Sequence, residues 1–356
     1  MQRSPLSRRS VLALVGALVG GACVSSSPTV APTTGGPSSA AQPAPTPQKM
    51  VLKATHNVAE ASLYHKNFVQ FKEAVEARTN GSLTIQVYSS ESLVKARDTL
   101  DAVSKGIADF GFLSFAYWPG DLRFDSEAQM LPFSVSWETA ARVHAAGKPI
   151  FQQEIGKFNQ LLLFPQPLQA QLFLKKPLAD PGNPSFRGLR VNGVGPLAQV
   201  IDLLGGAATS VPGSELPTAL RTGVVDGTFT TVETYVNLDL VQDAPYFYDL
   251  GASAMFVGVW WSINEETWNR LPQAWQQIIL EESEKAGAAY LIAAQESDRS
   301  DQARALAKGA KITKLAPDQL KVWRQMLQPY YESIIQKHGE PMRKWVETVD
   351  RITSGR

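Results

Sequence analysis

Cysteine is almost missing from this 356-residue chain. Cys23 is the only one, so the chain holds no internal disulfide framework and no thiolate zinc cluster. Its four histidines, His56, His65, His144 and His338, are scattered, and none forms an H-x-x-x-H pair. Neither sign of charge is in excess: 34 basic residues face 33 acidic ones. Without the first 22 residues, which carry Arg3, Arg8 and Arg9 and no acid, the balance is 31 to 33. No basic stripe stands out, and nucleic acid is not an expected partner. There is no G-x-S-x-G elbow for a serine hydrolase. Asp98 and Asp101 sit three apart on a predicted helix and read as a solvated face rather than a glycosidase pair. No metal or cofactor is called for. No apolar run reaches the roughly 18 residues that cross a bilayer, so the folded part reads as water-soluble.

What is present begins with a leader. Residues 1–22 join a basic stretch, Ser7-Arg8-Arg9-Ser10, to the short apolar run Val11 to Val19. Arg8-Arg9 before Ser10-Val11-Leu12 resembles a twin-arginine export signal. Gly20-Gly21-Ala22-Cys23 resembles a lipoprotein cleavage site with Cys23 as the lipidated thiol, although Gly20 stands where a larger aliphatic residue is usual. The other reading is a plain cleaved signal peptide with an incidental cysteine. Residues 23–49 are rich in Ser, Thr, Pro, Ala and Gly, and no charge occurs from Val24 to Gln48. Such a segment buries too little surface to offset its ordering entropy and is expected to be a disordered tether.

From Met50 the pattern changes. Val51 to Thr55, Leu83 to Tyr88, Leu161 to Phe164 and Leu189 to Asn192 read as strands. Tyr64, Phe68, Phe71 and Val75 mark a helix closed by Thr79-Asn80-Gly81, and a second helix is predicted over Ala96 to Lys105. The alternation predicts an α/β fold with partly parallel sheets. Gln273 to Lys308 contains no proline and one glycine, Gly287. It reads either as one helix of roughly 50 Å or as two broken near Gly287.

Several stretches together resemble the DctP-type solute-binding subunits of TRAP transporters. They are Glu73 to Leu83, Asp101 to Asp109, Trp261-Ser262-Ile263-Asn264, Trp268 to Pro272 and, most specifically, Thr218-Ala219-Leu220-Arg221-Thr222-Gly223-Val224-Val225-Asp226-Gly227. The resemblance spans about Val51 to Trp345. It implies a two-lobed, periplasmic-binding-protein-like α/β fold with a hinge and a long C-terminal helix crossing both lobes. On that reading residues 50–168 with 258–300 make the first lobe, and 169–257 with 301–345 the second. It further implies capture of a small solute between the lobes and delivery to integral-membrane transporter subunits. The protein would act outside the cytoplasm, touch the membrane only through a lipid on Cys23, and need no enzymatic step.

The family holds a carboxylate with an arginine after G-L-K-I. Aligned from Gly188, that position is Asn192; counted back from Leu204-Gly205-Gly206, it is Arg190. Both remain candidates. Gln169 and Gln171 occupy a strand where a second basic residue is common, and Asn57 matches an asparagine of the first loop. Thr228-Phe229-Thr230-Thr231 replaces the family's Q-E-N-P. Of the aromatics Tyr117-Trp118, Phe229, Tyr235 and Trp260-Trp261, one of the two adjacent tryptophans is expected to face the cleft. The expected ligand-binding set is Asn57, Ser114, Gln169, Gln171, Arg190, Asn192, Thr230 and Trp261. With so few cations, it suits an organic acid with one carboxylate or a neutral polar solute. Two rival readings are an exported dinucleotide oxidoreductase, from Gly193-Val194-Gly195-Pro196-Leu197-Ala198 with Glu215 downstream, and a surface adhesin.

Overall fold

The computed structural model describes residues 49–132, 135–211, 213–251, 255–256 and 258–354. The leader, Cys23 and all of the expected tether but Lys49 lie outside the described residues. In chain order the first strands are β1 (Met50–Thr55), β2 (Leu83–Tyr88), β3 (Phe110–Ser114), β4 (Gln160–Pro165), β5 (Leu168–Gln169), β6 (Gln171–Leu174) and β7 (Arg190–Asn192). There follow β8 (Ala207–Thr209), β9 (Gly227–Thr230), β10 (Tyr246–Asp249), β11 (Met255–Phe256), β12 (Val259–Asn264) and β13 (Lys311–Lys314). The helices are α1 (Leu63–Arg78), α2 (Thr99–Ser104), α3 (Arg123–Ala128), α4 (Trp137–Ile155), α5 (Pro196–Leu203) and α6 (Leu216–Thr222). The rest are α7 (Val232–Asn237), α8 (Glu265–Arg270), α9 (Gln273–Ala307), α10 (Pro317–Met326), α11 (Gln328–His338) and α12 (Glu340–Ser354).

Two sheets organise these elements. One has the order β2-β1-β3-β12-β4, parallel through β2, β1 and β3 and antiparallel on either side of β12. The other runs β13-β10-β6-β9-β7-β8, with β6 antiparallel to both β10 and β9 and the remaining pairs parallel. The chain passes from the first sheet to the second through β5 and returns through β11. These two crossovers pair antiparallel, Gln169 opposite Met255 and Leu168 opposite Phe256. A paired ribbon of two residues a side is a narrow connection, suited to bending.

Local sequence accounts for the elements. In β2 the alternation of Leu83 and Ile85 with Thr84 and Gln86 turns the apolar members inward, where both are buried. Ser62 caps α1 by accepting the His65 N–H at 3.3 Å, and Phe68, Phe71 and Val75 bury its inner face. Asn80 and Gly81 end that helix in the left-handed region.

The long helix is continuous over 35 residues, about 52 Å at 1.5 Å per residue. Gly287 does not break it. A Cβ there would lie 3.2 Å from Pro165 Cδ and 3.5 Å from Phe164 Cβ, so the glycine lets α9 lie directly on β4. Along its length α9 packs on α1, β4 and α4 beside the first sheet and on α7 beside the second, a strut crossing both. After β13 the chain turns back, and α12 packs on α3 and α4. Trp345 Nε1 donates to Ala128 O at 2.9 Å there. Among the described residues no helix is long and apolar enough to cross a membrane.

Both adjacent tryptophans are core. Trp260 and Trp261 stand on opposite faces of β12, but helices cover both faces of this central strand, and the two side chains are 1% and 0% exposed. The expectation that one faces the cleft is therefore corrected. Trp261 stacks on Phe68 with centroids 3.6 Å apart and donates its indole N–H to Gln166 Oε1 at 2.9 Å. Gln166 in turn donates to Asn67 Oδ1 at 2.7 Å, and Asn67 to Ala286 O at 3.1 Å. This buried polar chain ties the crossover to α1 and α9.

Candidate ligand-binding site

A cavity of about 460 Å³ lies between the sheets at the carboxyl ends of β1, β3, β7 and β9. Open α/β sheets commonly bind ligands at such strand ends. From the first sheet's side come Asn57 and Val58 after β1, Tyr64 at the start of α1, and Phe112, Ser114 and Tyr117 at the end of β3. The second sheet's side supplies Val194 and Leu197 after β7, then Phe229 and Thr230 ending β9. Helix α7 adds Glu233, Thr234 and Asn237, and the crossover adds Leu168 and Ala170.

Three of the eight expected residues meet here. Asn57 and Ser114 come from one side and Thr230 from the other, each half-buried at a strand end or in the loop after it. Asn57 Nδ2 lies 3.4 Å from the Tyr117 hydroxyl, a weak bond that leaves its amide available. The five others lie outside this lining. Gln171 is fully buried, donating to Gly251 O at 2.9 Å and accepting the Leu250 N–H at 2.7 Å, which locks β6 to the end of β10. Gln169 also donates to Gly251 O and borders a separate small void of about 50 Å³ beside Asp298 and Asp301. Asn192 is buried, bonded to Thr228 Oγ1 at 3.1 Å and to the Val211 N–H at 2.7 Å. Trp261 belongs to the core described above. Arg190 starts β7, at the end of the strand away from the cavity. Its Nε and one Nη each lie 3.1 Å from an Asp226 oxygen. Burial raises the Asp226 carboxyl's affinity for its proton, but hydrogen bonds from Arg190 outweigh that and hold it below the usual range. Both candidates for a carboxylate-binding residue are thus engaged elsewhere. Replacing Arg190 by alanine is expected to change solute affinity less than about twofold and stability by under about 1 kcal/mol. Calorimetric titration and denaturation of the variant check this.

The residues missed by sequence reasoning are mainly on α7. Thr231 caps it, accepting the Thr234 N–H at 3.1 Å, and this sets Glu233, Thr234 and Asn237 along the cavity. The pattern Thr231-Val232-Glu233-Thr234 after a strand was a legible helix start. The side that it would face was not. Burial, and then the charge of Asp301, raise the Glu233 carboxyl above its ordinary range, while Lys66, the Leu63 N–H and Arg304 pull it back. Behind the cavity His56 Nε2 is 2.9 Å from His65 Nδ1, and burial keeps His56 neutral down to about pH 4.

The glycine-rich turn serves a different purpose from a dinucleotide cradle. Gly195 has φ +55°, and a Cβ there would lie 3.3 Å from Ala116 Cβ across the cleft. The glycine permits the second half of the chain to approach the first closely. Glu215 sits in a 3₁₀ turn before α6, not at the end of β8.

Two sheets with a shared cavity, joined by paired crossovers and a spanning helix, define the two-lobed class of binding protein. The bacterial extracellular solute-binding protein family 7, DctP, matches residues 54–338, and the chain belongs to it. A C4-dicarboxylate-binding periplasmic protein of Rhodobacter capsulatus is 25% identical over 304 residues, 82% of this chain and 88% of the relative. Among solved structures, an extracytoplasmic solute receptor of Bordetella pertussis binding pyroglutamic acid superposes with a TM-score of 0.75 at 22% identity. That match covers 84% of this chain and 99% of the other. A TRAP periplasmic solute-binding protein of Rhodoferax ferrireducens with bound malonate gives 0.74 at 18% identity, covering 85% and 98%.

Proposed function

We propose that this protein captures a small organic acid or neutral polar solute in the cleft and delivers it to a TRAP-type membrane transporter outside the cytoplasm. The observation that carries this reading is the 460 Å³ cavity walled from both sheets above a hinge of two short paired strands. A solute touching both walls gains contacts only in the closed form, and so shifts the population toward it. Asn57, Ser114 and Thr230, with Tyr117, are the polar groups we assign to recognition; Gln171 and Asn192 shape the cleft from behind. The moving bodies are residues 50–168 with 258–300 and residues 169–257 with β13. Because α12 is packed on α3 and α4, we place it with the first body, and α10, whose Trp323 Nε1 donates to Pro181 O at 2.8 Å, with the second. Capture and release need no covalent step. The test is mass spectrometry of small molecules released from the natively purified protein, followed by titration of what is found. A protein that is recovered empty and gives no heat with organic acids, amides or amines overturns the reading.

We further infer that Cys23 carries a lipid that holds the protein at the membrane, at the head of a tether of residues 23–49. The support is the sequence Gly20-Gly21-Ala22-Cys23 and the uncharged Ser/Thr/Pro composition that follows. Cys23→Ser is expected to move the protein from the membrane fraction to the soluble one on cell fractionation. Unchanged partition would sink the anchor.

A further inference from the structure

The composition of the cleft wall narrows the solute. Among the described residues lining the cavity there is no lysine, arginine or histidine, and the one ionisable carboxyl is Glu233. Phe112, Leu168, Leu197 and Phe229 make much of the remaining wall apolar. The cations around it lie outside the lining. Arg190 is paired with Asp226, and the Arg97 guanidinium lies 5.8 Å over the ring of Tyr117, outside the lining. Lys66 is exposed on α1, where its charge and that of Arg304 offset part of Glu233's while Asp301 adds to it. The amino end of α1 is the remaining positive feature, where Ser62 accepts the His65 N–H and the Glu233 carboxyl the Leu63 N–H. A carboxylate entering this cleft would lose hydration and find no cation to replace it, next to a carboxyl of like charge.

We propose that the cleft takes a solute with no net negative charge, an amine or uncharged amide whose N–H donors face Glu233 and whose apolar body lies against Phe229 and Phe112. This rests on the capture reading above, drops the organic acids from its solute class and adds amines. The acceptors fit: Glu233, Asn57, Asn237 and the hydroxyls of Ser114 and Thr230 all reach the cavity wall.

The experiment uses matched series on one skeleton: phenylacetate, phenylacetamide and phenethylamine, and pyroglutamate with its amide. Each is titrated calorimetrically into the wild-type protein, Glu233→Gln and Glu233→Arg. In the wild type the amide or amine is expected to bind about tenfold or more tightly than its carboxylate partner. Glu233→Gln should weaken the amine about tenfold and leave the amide nearly unchanged. Glu233→Arg should reverse the ranking toward the carboxylate, its melting curve serving as the folding control. A wild-type protein that prefers the carboxylate overturns the inference and leaves solute capture standing. Binding of no member by any of the three proteins counts against both.

Discussion

Trp261→Ala lowers the free energy of unfolding by about 3–5 kcal/mol, as expected for truncating a fully buried tryptophan. The indole is 0% exposed and stacks on Phe68 at 3.6 Å, with the Phe112 ring 5.6 Å away. Removing it leaves a cavity in a close-packed interior and strips Gln166 Oε1 of its only hydrogen-bond donor among those described. Trp261→Phe keeps most of the stacking and loses the hydrogen bond, so a smaller loss, about 1–2 kcal/mol, is expected. Urea denaturation of both variants measures these differences. The opposite pattern, near wild-type stability with solute binding abolished, would return Trp261 to the cleft and contradict its placement in the core.

That tryptophan also shows where sequence legibility ended. The period-2 run from Leu83 to Tyr88 and the helical stripe after Pro272 each carry their own structure, because a strand or helix with one buried face writes its period into the chain. The two-lobed architecture was legible for the same reason, joined to a resemblance spread over nearly 300 residues. Which face a residue turns toward a neighbouring element is not local information. Trp260 and Trp261 alternate as a strand requires, yet β12 lies inside its sheet with both faces covered, so alternation could not place either at the cleft. Arg190 and Asn192 were undecidable because β7 is three residues long and carries no period to fix its register. In the fold one end of that strand meets Asp226 and the other meets Thr228, and neither side chain is left for a ligand. Asn57, Ser114 and Thr230 come together because they end strands whose carboxyl edges all point into one gap. Glu233 had no signal of its own. Its role depends on α7 lying against the start of α1, 170 residues earlier in the chain.

A second large effect is expected at Asp125, and its size depends on pH. This side chain is fully buried on α3, and neither carboxyl oxygen has a hydrogen-bond partner among the described residues. Burial pushes its carboxyl up to about 9; the charge of Glu154 adds to this and Lys157 offsets part of it. Glu154 is held close because it accepts the N–H groups of Phe124 and Asp125 at 3.1 and 3.0 Å. The folded protein therefore binds a proton that the unfolded chain releases near pH 4. Stability linked to that proton is present in full below about pH 4 and is lost as pH rises toward 9. Two histidines act in the opposite direction. Burial keeps His56 and His144 neutral to about pH 4, so their contribution is present above about pH 6.5 and lost as pH falls through 4. The histidine contributions cancel when wild type is compared with Asp125→Asn at each pH, and the carboxyl remains. The variant should match the wild type near pH 4.5 and exceed its stability at pH 8 by a few kcal/mol, at about 1.4 kcal/mol per unit of pKa displacement. Urea denaturation at pH 4.5, 6 and 8 reads the difference directly. Parallel stability curves for the two proteins would mean that Asp125 is ionised in the fold, with a partner supplied from outside the residues described.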